Sequence, residues 1–317
     1  MIGARVHSKV EIDSLSFSWT GHQILKGFKV IHSQYSLSTE EIQVQTPLLR
    51  LIFSYGRNLS FEIQNSAIET PYGQGTIGSF KGTVSQKNLT LNEPVTLIFQ
   101  PEKKFNDSLV AKIHPLFAEG IQTKGPISLT VSDEGLSIPL KKGSIQDVQI
   151  NHATLKLGQF ECRTSKPLAF LIDLIKHQGL TGEKTMQVEC SPLSFSLQNG
   201  ILQWEQMDAV FAQAIHLCSW GKVDLVEESS DMQISIPAVT LEKALKVKLP
   251  TDYLLAVTLK GDLHNPTISA MDAIKKIGLL CLEKSDLLGI FNGWLDKSTQ
   301  PEIGLAALQN SFSLRKR

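Results

Sequence analysis

The chain has 317 residues, and its 31 lysines and arginines balance 31 aspartates and glutamates, so the formal net charge at pH 7 is zero. This balance argues against nucleic acid as a partner, because nucleic-acid binding usually needs a long-range positive field. Hydrophobic residues make up 42% and charged residues 20% of the chain, which is typical of a globular protein and not of a disordered one or a coiled coil.

Strand periodicity begins near the N-terminus, where apolar residues alternate with polar ones from Val10 to Trp19. A strand places alternate side chains on opposite faces, so this rhythm predicts strands with one apolar and one polar face. It is typical of antiparallel sheets, because buried parallel strands read as continuous apolar runs. The same rhythm returns at residues 59–63, 95–99, 127–131, 136–140, 155–157, 193–197, 223–225, 232–236 and 255–259.

Turn residues separate several of these segments. Asn199-Gly200 has the composition of a type I′ hairpin turn, whose two central residues both need positive φ. Asp133-Glu134-Gly135 predicts a turn with glycine in the left-handed position, and residues 227–231 predict a longer acidic loop. We therefore expect hairpins between strands that are neighbours in the sequence.

Helical spacing of apolar residues is confined to a few segments. We expect the short ones to pack on an edge, an end or an open face of the sheet, and Thr240 is the predicted N-cap of the third. The predicted helices span residues 106–118, 168–178, 241–247 and 270–296.

The last predicted helix contains the most apolar stretch of the chain, residues 277–295. Charged residues interrupt that stretch, and nowhere does the chain have the roughly 18 uncharged apolar residues that a membrane crossing needs. We expect the stretch to cap the sheet. The alternative is an interfacial helix with Phe291 and Trp294 as anchors. No secretion signal is visible in the first 20 residues.

These elements predict a mainly β protein, an antiparallel sheet with a few short packing helices. The cluster of residues 101–104 and the first predicted helix interrupt the strand pattern. They divide the chain into an N-terminal antiparallel β unit, residues 1–104, and a C-terminal β unit with a terminal helix, residues 105–317.

No catalytic motif is present. Cys162, Cys190, Cys218 and Cys281 form no C-x-x-C pair, and none has a histidine at zinc-finger spacing, so the cysteines are expected to be buried small hydrophobic residues. No two histidines stand four residues apart beside a carboxylate, as a zinc protease would need. The sequence predicts no catalytic residue, no metal site and no cofactor, and thus a protein that is not an enzyme.

A glycine motif at residues 73–78 has the literal form G-x-G-x-x-G. A dinucleotide site needs a strand before this motif and a helix after it. Here Pro71 precedes the motif and strand-like residues follow it, so we expect a loop or an edge strand and no nucleotide.

One region of the chain resembles a known family. Residues 193–209 read L-S-F-S-L-Q-N-G-I-L-Q-W-E-Q-M-D-A, and they are followed by W-G-K-V-D-L at 220–225, D-M-Q-I-S-I-P at 231–237 and L-K-G-D-L-H-N-P-T-I at 259–268. These segments are similar to the C-terminal region of the AsmA-like family, which includes TamB-type proteins, of Gram-negative envelopes.

The resemblance implies an elongated antiparallel sheet curled into a gutter (a β-groove), apolar inside and polar outside, that carries phospholipid acyl chains between membranes. It also implies a location in the cell envelope or periplasm, associated with the inner membrane. Family members begin with a membrane helix that this sequence does not show, so the chain is expected to be a fragment or to work with a membrane-anchored partner.

The strand phase predicts which residues would line such a groove, because they alternate with polar residues and should share one side of one sheet. They are Phe195, Leu197, Val223, Leu225, Met232, Ile234, Ile236, Leu255, Val257 and Leu259.

Two functions compete at this stage. The first is a non-enzymatic module that binds or conducts phospholipid acyl chains along an apolar β-groove. The alternative is a structural or assembly protein of the envelope, whose closed β core docks partner proteins. An enzyme without a recognisable motif ranks third.

Overall fold

The computed structural model describes residues 8–53, 58–102, 104–105, 121–140, 144–163, 185–245, 248–263 and 266–269. Within these residues the chain forms one 21-stranded sheet, and its strand pairings are antiparallel. The prediction of a mainly β, antiparallel fold is therefore confirmed.

The first part of the sheet is built from long single strands followed by shorter strands. These are β1 (Lys9–Glu11), β2 (Ser14–Ser16), β3 (Gln23–Ile31), β4 (Ser36–Val44), β5 (Leu59–Thr70), β6 (Gly73–Ile77), β7 (Phe80–Val84), β8 (Asn88–Leu91) and β9 (Val95–Pro101).

The second part begins with short strands and ends with long ones. These are β10 (Ile121–Thr123), β11 (Ile127–Val131), β12 (Leu136–Pro139), β13 (Gln149–Lys156), β14 (Gln159–Arg163), β15 (Thr185–Cys190), β16 (Leu193–Gln198), β17 (Ile201–Phe211), β18 (Ile215–Asp224), β19 (Ser229–Pro237), β20 (Leu254–Asp262) and β21 (Thr267–Ser269).

Short strands lie end to end and together match one long neighbour. The long strand β5 pairs with β7 along its first half and with β6 along its second half. On the far side of these strands, β6 pairs with β9 and β7 pairs with β8. Strand β9 then pairs with β11, and β8 pairs with β12. Both β11 and β12 then pair with β13. Hydrogen-bonded pairing thus continues across the whole sheet, but several neighbouring strands are not consecutive in the chain.

The Asn199-Gly200 turn has the predicted conformation. Asn199 has φ 54° and Gly200 has φ 78°, so both central residues are left-handed, as a type I′ turn requires. The strands β16 and β17 on either side of this turn form an antiparallel hairpin.

The prediction for Asp133-Glu134-Gly135 is wrong in its geometry. These residues form a 3₁₀ turn, Gly135 does not adopt positive φ, and no ladder joins β11 to β12 among the described residues. The physical reason is that the two strands lie end to end against β13. Their connection continues along the sheet and does not reverse direction.

The acidic loop is shorter than predicted, because β19 begins at Ser229 and the turn after β18 covers only residues 225–228. Strands β18 and β19 pair as the hairpin that the sequence indicated.

The described helices differ from the prediction. Helix α1 (Leu48–Phe53) was not predicted, and α2 (Ala238–Leu245) begins three residues before the predicted segment 241–247. Thr240 lies inside α2 and is not its N-cap. Its hydroxyl instead donates to the His216 carbonyl oxygen at 3.4 Å and accepts from the His216 backbone N–H at 3.3 Å, which ties α2 to the edge of β18. The predicted helices 106–118, 168–178 and 270–296 lie outside the described residues.

The glycine motif at residues 73–78 forms strand β6, which pairs on both sides and is not at an edge. Glycine is needed here for close packing. A Cβ at Gly75 would lie 2.8 Å from the Ile68 side chain and 2.9 Å from the Leu97 side chain.

The predicted boundary at residue 104 is crossed by two ladders, because β8 pairs with β12 and β9 pairs with β11. The division of the chain into two domains stays a prediction.

Candidate functional site

Residues directly opposite each other on neighbouring strands lie on the same face of a sheet. The register therefore allows the apolar face to be followed across the strands. One apolar row runs from β4 to β18 through Val44, Phe61, Gly82, Leu91, Leu136, Ile150, Leu197, Leu202 and Val223. Leu91, Leu136 and Ile150 also belong to one packed cluster, which carries this row across the short strands.

Two further rows run parallel to the first. One consists of Phe28, Thr39, Ser66, Ile77, Leu97, Leu129, Leu155 and Leu193. The other consists of Val95, Val131, Ala153, Phe195, Trp204, Gly221, Met232 and Leu259. All three rows meet on β16, where Leu193, Phe195 and Leu197 alternate along one face. The rows therefore form a single continuous apolar face.

A kink lets the apolar face continue across β3, β4 and β5. The ladder omits Gly27, Glu40 and Asn65, and both Gly27 (φ 62°) and Asn65 (φ 48°) are left-handed. Asn65 donates from its side-chain amide to the Glu40 carboxylate at 2.7 Å. Glycine and asparagine adopt this conformation at the lowest cost.

The kink also explains a shift in the sequence pattern. Apolar residues occupy odd positions before it, at Leu25 and Ile63, and even positions after it, at Val30 and Ile68. Because the irregularity falls in all three strands at one level, the pairing register is kept on both sides.

The opposite face of the same strands is mainly polar. Its residues pair in a row that ends on β13 and that contains Lys29, Ser38, Ala67, Thr76, Ile98, Ser128 and Lys156. The Thr96 and Thr130 hydroxyls form a hydrogen bond of 3.0 Å across two of these strands. The sheet thus has two chemically distinct faces.

Nine of the ten predicted groove residues lie on the apolar face of β16 to β20, where Ile234 pairs with Val257 and Ile236 with Leu255. Leu225 lies in the turn after β18 and is partly buried. Phe195 is also partly buried. The others are no more than 5% exposed: Leu197, Val223, Met232, Ile234, Ile236, Leu255, Val257 and Leu259.

Other residues of the protein pack against this part of the face. Phe105 and Leu241, which lie outside the strands, belong to the same core cluster and are 8% and 1% exposed. Phe160, Val188 and Phe211 pair with one another across β14, β15 and β17, so they extend the buried face within the sheet. The face is therefore sealed along β17 to β20. A lining role for the ten residues stays a prediction.

The same face has a different environment along β3 to β9. Phe61, Leu91 and Phe99 are buried on this face, and Leu97 packs against the core cluster. The other apolar side chains there are half-buried, and they include Leu25, Val30, Leu37, Ile42, Ile68 and Ile77. The accessible part of the apolar face therefore lies in the N-terminal strands, which the sequence reasoning did not include in the site. The signal that could have found them is the alternation in residues 23–44, which Gly27 and Glu40 interrupt.

A polar cluster lies on the other face, at the hairpin of β17 and β18. The His216 Nε2 and Cys218 Sγ atoms are each 2.9 Å from Asp208 Oδ1, and they are 3.7 Å from each other. Cys218 pairs directly with Asp208 and His216 with Val210, so the three side chains share one face. They are the one group of metal-binding type found among the described residues.

The electrostatics of this cluster follow from its hydrogen bonds. Burial alone would raise the pKa of Asp208, but hydrogen bonds from Cys218, His216 and Gln206 outweigh burial and hold that pKa below its ordinary value. Burial, together with the Asp208 carboxylate, raises the pKa of the Cys218 thiol to about 12. The thiol is therefore protonated at neutral pH and is a poor nucleophile.

The other described cysteines fit the prediction of buried hydrophobic residues in different degrees. Cys162 is buried and Cys190 is partly buried against the core, and burial raises the pKa of each thiol to about 12. Cys218 differs because its thiol is hydrogen-bonded within the polar cluster. Local spacing did not reveal this cluster, because Asp208 is separated from the other two residues by the turn between β17 and β18.

Comparison with protein-family models, with curated proteins and with solved structures finds no match to this chain. Within the described residues, no helix combines the length and the apolar character that crossing a membrane requires.

Proposed function

We propose that this protein binds phospholipid acyl chains along the apolar face of its sheet and has no catalytic role. The observation that carries the proposal is the continuity of that face. It extends from β3 to β20 without a charged residue in any of the three rows described above. An isolated apolar face of this length must be covered by something, and a hydrocarbon chain is a suitable partner.

The N-terminal strands supply the binding surface in this proposal. Leu37 and Ile68 are paired on neighbouring strands, and both side chains are half-buried on the apolar face. An acyl chain gains about 0.8 kcal/mol for each CH₂ group removed from water, so a long chain binds here without a charged anchor. The buried strands β17 to β20 would form the closed end of a curled groove.

The resemblance to the AsmA-like family supports the same role. It adds a location in the cell envelope, associated with the inner membrane, and a membrane-anchored partner. These parts of the proposal rest on the resemblance alone.

The test compares two neighbouring positions on β6. Ile77→Asp places a carboxylate on the apolar face, whereas Thr76→Asp places the same group on the exposed polar face. We expect phospholipid, extracted from the purified protein and identified by mass spectrometry, to be lost from the first variant and retained by the second. Both variants should unfold at temperatures close to that of the wild type.

Wild-type protein that carries no lipid from the cell and takes up none from phospholipid vesicles would contradict the proposal. Equal lipid retention by both variants would contradict it as well.

An envelope assembly protein is the second candidate, and an exposed apolar patch favours it. Phe17 and Trp19 after β2 and Ile52 and Phe53 on α1 are between 56% and 78% exposed. The Leu48 N–H donates to the Ser18 carbonyl oxygen at 3.2 Å, which joins the two segments. A partner protein captured through this patch, together with the absence of lipid, would favour assembly over lipid binding.

A further inference from the structure

The polar cluster of Asp208, His216 and Cys218 has the composition of a metal site. It offers a thiol, an imidazole nitrogen and a carboxylate oxygen, the three ligand types that Zn²⁺ uses in proteins. The ligand atoms lie within 4.8 Å of one another. They project from two adjacent strands of a regular hairpin, so the backbone already fixes their spacing.

We propose that Asp208, His216 and Cys218 bind one Zn²⁺ ion on the polar face of the sheet. The ion replaces the Cys218 thiol proton, which passes to solvent. The proton with which His216 Nε2 bonds to Asp208 also leaves to solvent while Nδ1 takes one up, so the imidazole stays neutral and Nε2 binds the ion. A thiolate and a carboxylate then supply two negative charges that the ion neutralises. The site is on the face opposite to the apolar rows, so it does not depend on lipid binding.

The distances fit a tetrahedral ion with little movement. Zn–S bonds of about 2.3 Å and Zn–N or Zn–O bonds of about 2.0–2.2 Å place tetrahedral ligand atoms about 3.3–3.6 Å apart. The separation of Cys218 Sγ and His216 Nε2 is 3.7 Å, already close to that range. The distances from Asp208 Oδ1 to His216 Nε2 and to Cys218 Sγ, both 2.9 Å, must each lengthen by about half an ångström. Removal of the thiol proton abolishes the Cys218–Asp208 hydrogen bond, so nothing then holds that pair at the shorter distance.

Neighbouring groups orient two of the ligands. The Gln206 amide donates to both Asp208 carboxylate oxygens, at 3.2 and 3.0 Å, and the Ser191 hydroxyl accepts from the Asp208 backbone N–H at 2.9 Å. Thr240 holds the backbone of His216. Such outer contacts fix ligand geometry in known metal sites.

Ser235 provides an independent observation. It lies opposite Cys218 on β19 and is fully buried, and its hydroxyl is near enough to the Cys218 sulfur to lower the pKa of the thiol, although burial and Asp208 outweigh that effect. This hydroxyl makes no other hydrogen bond of standard geometry in the described part of the chain. A neutral thiol is a weak acceptor for this buried hydroxyl, and a buried hydroxyl that is poorly satisfied is costly. A thiolate bound to Zn²⁺ would accept the hydrogen bond that this hydroxyl can donate.

The fourth ligand position faces solvent. The side chains of Asp208 and His216 are 35% and 34% exposed, whereas Cys218 is buried. Water therefore completes the coordination, as in zinc sites with three protein ligands.

The test uses the full chain after chelator treatment, with Co²⁺ as a spectroscopic probe and Zn²⁺ in a calorimetric titration. We expect one ion per chain, and a thiolate-to-cobalt charge-transfer band with visible bands of tetrahedral type. Cys218→Ser should remove the charge-transfer band and weaken Zn²⁺ binding at least about 100-fold, the upper range for loss of a mere outer contact. Cys190→Ser is the matched control, since that thiol packs against the core, and it should bind as the wild type does.

Asp208→Asn provides a second variant in case Cys218→Ser fails to fold. It should keep the charge-transfer band but bind Zn²⁺ more weakly than the wild type. The absence of a charge-transfer band in the wild type, or equal Zn²⁺ affinity in the wild type and in a folded Cys218→Ser variant, would overturn the proposal.

Discussion

Strands β3 to β5 and strands β17 to β20 share a similar length, antiparallel pairing and one apolar face, yet the environment of that face differs between them. In the first group most apolar side chains are half-buried, with Phe61 as a buried exception. In the second group the apolar side chains of the face are fully buried and alternate along each strand with residues that are mostly more exposed. Strand periodicity is the same in both groups. Periodicity therefore specifies the strand and its face, and packing from elsewhere in the chain decides whether the face becomes a core.

The kinds of residue on the face do not by themselves explain this difference. In the second group the face carries Met232, Ile234 and Ile236, which need no polar partner. In the first group it carries Thr39 and Ser66, each about 6% exposed. The Thr39 hydroxyl donates to the Gln64 carbonyl oxygen at 2.8 Å, so this polar group is satisfied within the sheet. The sealed face also carries two buried hydroxyls, those of Ser219 and Ser230. Both parts of the face therefore contain buried hydroxyls, and what separates the parts is how deeply their apolar side chains are buried.

The largest expected effect is at the centre of the sealed part. Ile234→Asp places a carboxylate at a position with 0% exposure, where no described basic group is available. An unpaired buried charge typically costs more than about 4 kcal/mol, a large part of a domain's total stability. We expect the cooperative thermal transition to be lost or strongly lowered.

Gln233→Asp is the control for this prediction, because Gln233 is the exposed neighbour on the same strand. It should unfold at nearly the wild-type temperature. If both variants had similar melting temperatures, the face would not be sealed there and would be open to solvent.

A smaller effect is expected from added methyl groups at two glycines. Gly221 on β18 has φ 150°, and a Cβ there would lie 2.5 Å from the Met232 backbone, which cannot move away without breaking the ladder. A Cβ at Gly75 on β6 would meet side-chain atoms and no backbone, the nearest being Ile68 at 2.8 Å, and side chains can shift more readily than a paired strand.

Gly221→Ala should therefore cost about 3 kcal/mol and Gly75→Ala about 1 kcal/mol, measured by urea unfolding. The reverse order would mean that the N-terminal strands are packed more tightly than the C-terminal ones.

A carboxylate introduced on the half-buried part of the apolar face should lower the free energy of unfolding less than Ile234→Asp does. Leu37→Asp on β4 puts a carboxylate on the apolar face where water still reaches the side chain. We expect about 1–2 kcal/mol of destabilisation by chemical unfolding, well below the effect at Ile234. Ser38→Asp on the polar face is the control and should change stability by less than about 0.5 kcal/mol. If Leu37→Asp destabilised the protein as much as Ile234→Asp, the apolar face would be equally sealed in the two regions.

The sequence allowed the C-terminal strands to be predicted well and the N-terminal ones poorly. Residues 193–198 and 232–236 alternate without interruption, so the strands and their common face could be inferred from period two alone. Residues 23–44 contain the same alternation, but Gly27 and Glu40 shift its phase by one position. Because of this shift, the apolar residues of the whole segment do not fit one unbroken period of two, and the strands are harder to recognise from the sequence.

Two other features depend on distant pairing and could not be read locally. Whether β11 and β12 form a hairpin with each other or lie end to end against β13 is decided by a strand that follows them in the chain. The polar cluster at Asp208 has the same origin, since the register of β17 and β18, including a bulge between Trp204 and Met207, places Asp208 beside Cys218. No local motif encodes that bulge.

The smallest predicted effect concerns the hydroxyl of Thr39, which lies at the kink of the half-buried face. Thr39→Val keeps the shape of the side chain but leaves the Gln64 carbonyl oxygen without this donor. Loss of one such hydrogen bond costs about 1 kcal/mol, and urea unfolding of the variant should show a decrease of that size. Thr76→Val, at an exposed position on the polar face, should change stability by less than about 0.5 kcal/mol.

Lipid retention separates the two interpretations of Thr39. If the half-buried face binds acyl chains, Thr39→Val makes that face more apolar, and the variant should carry at least as much phospholipid as the wild type despite its lower stability. If the face instead serves only to hold the sheet together, lipid content will be negligible in both proteins and stability alone will change. A variant that is less stable and has also lost its lipid would show that the Thr39 hydroxyl, and not the apolar surface around it, controls binding at this kink.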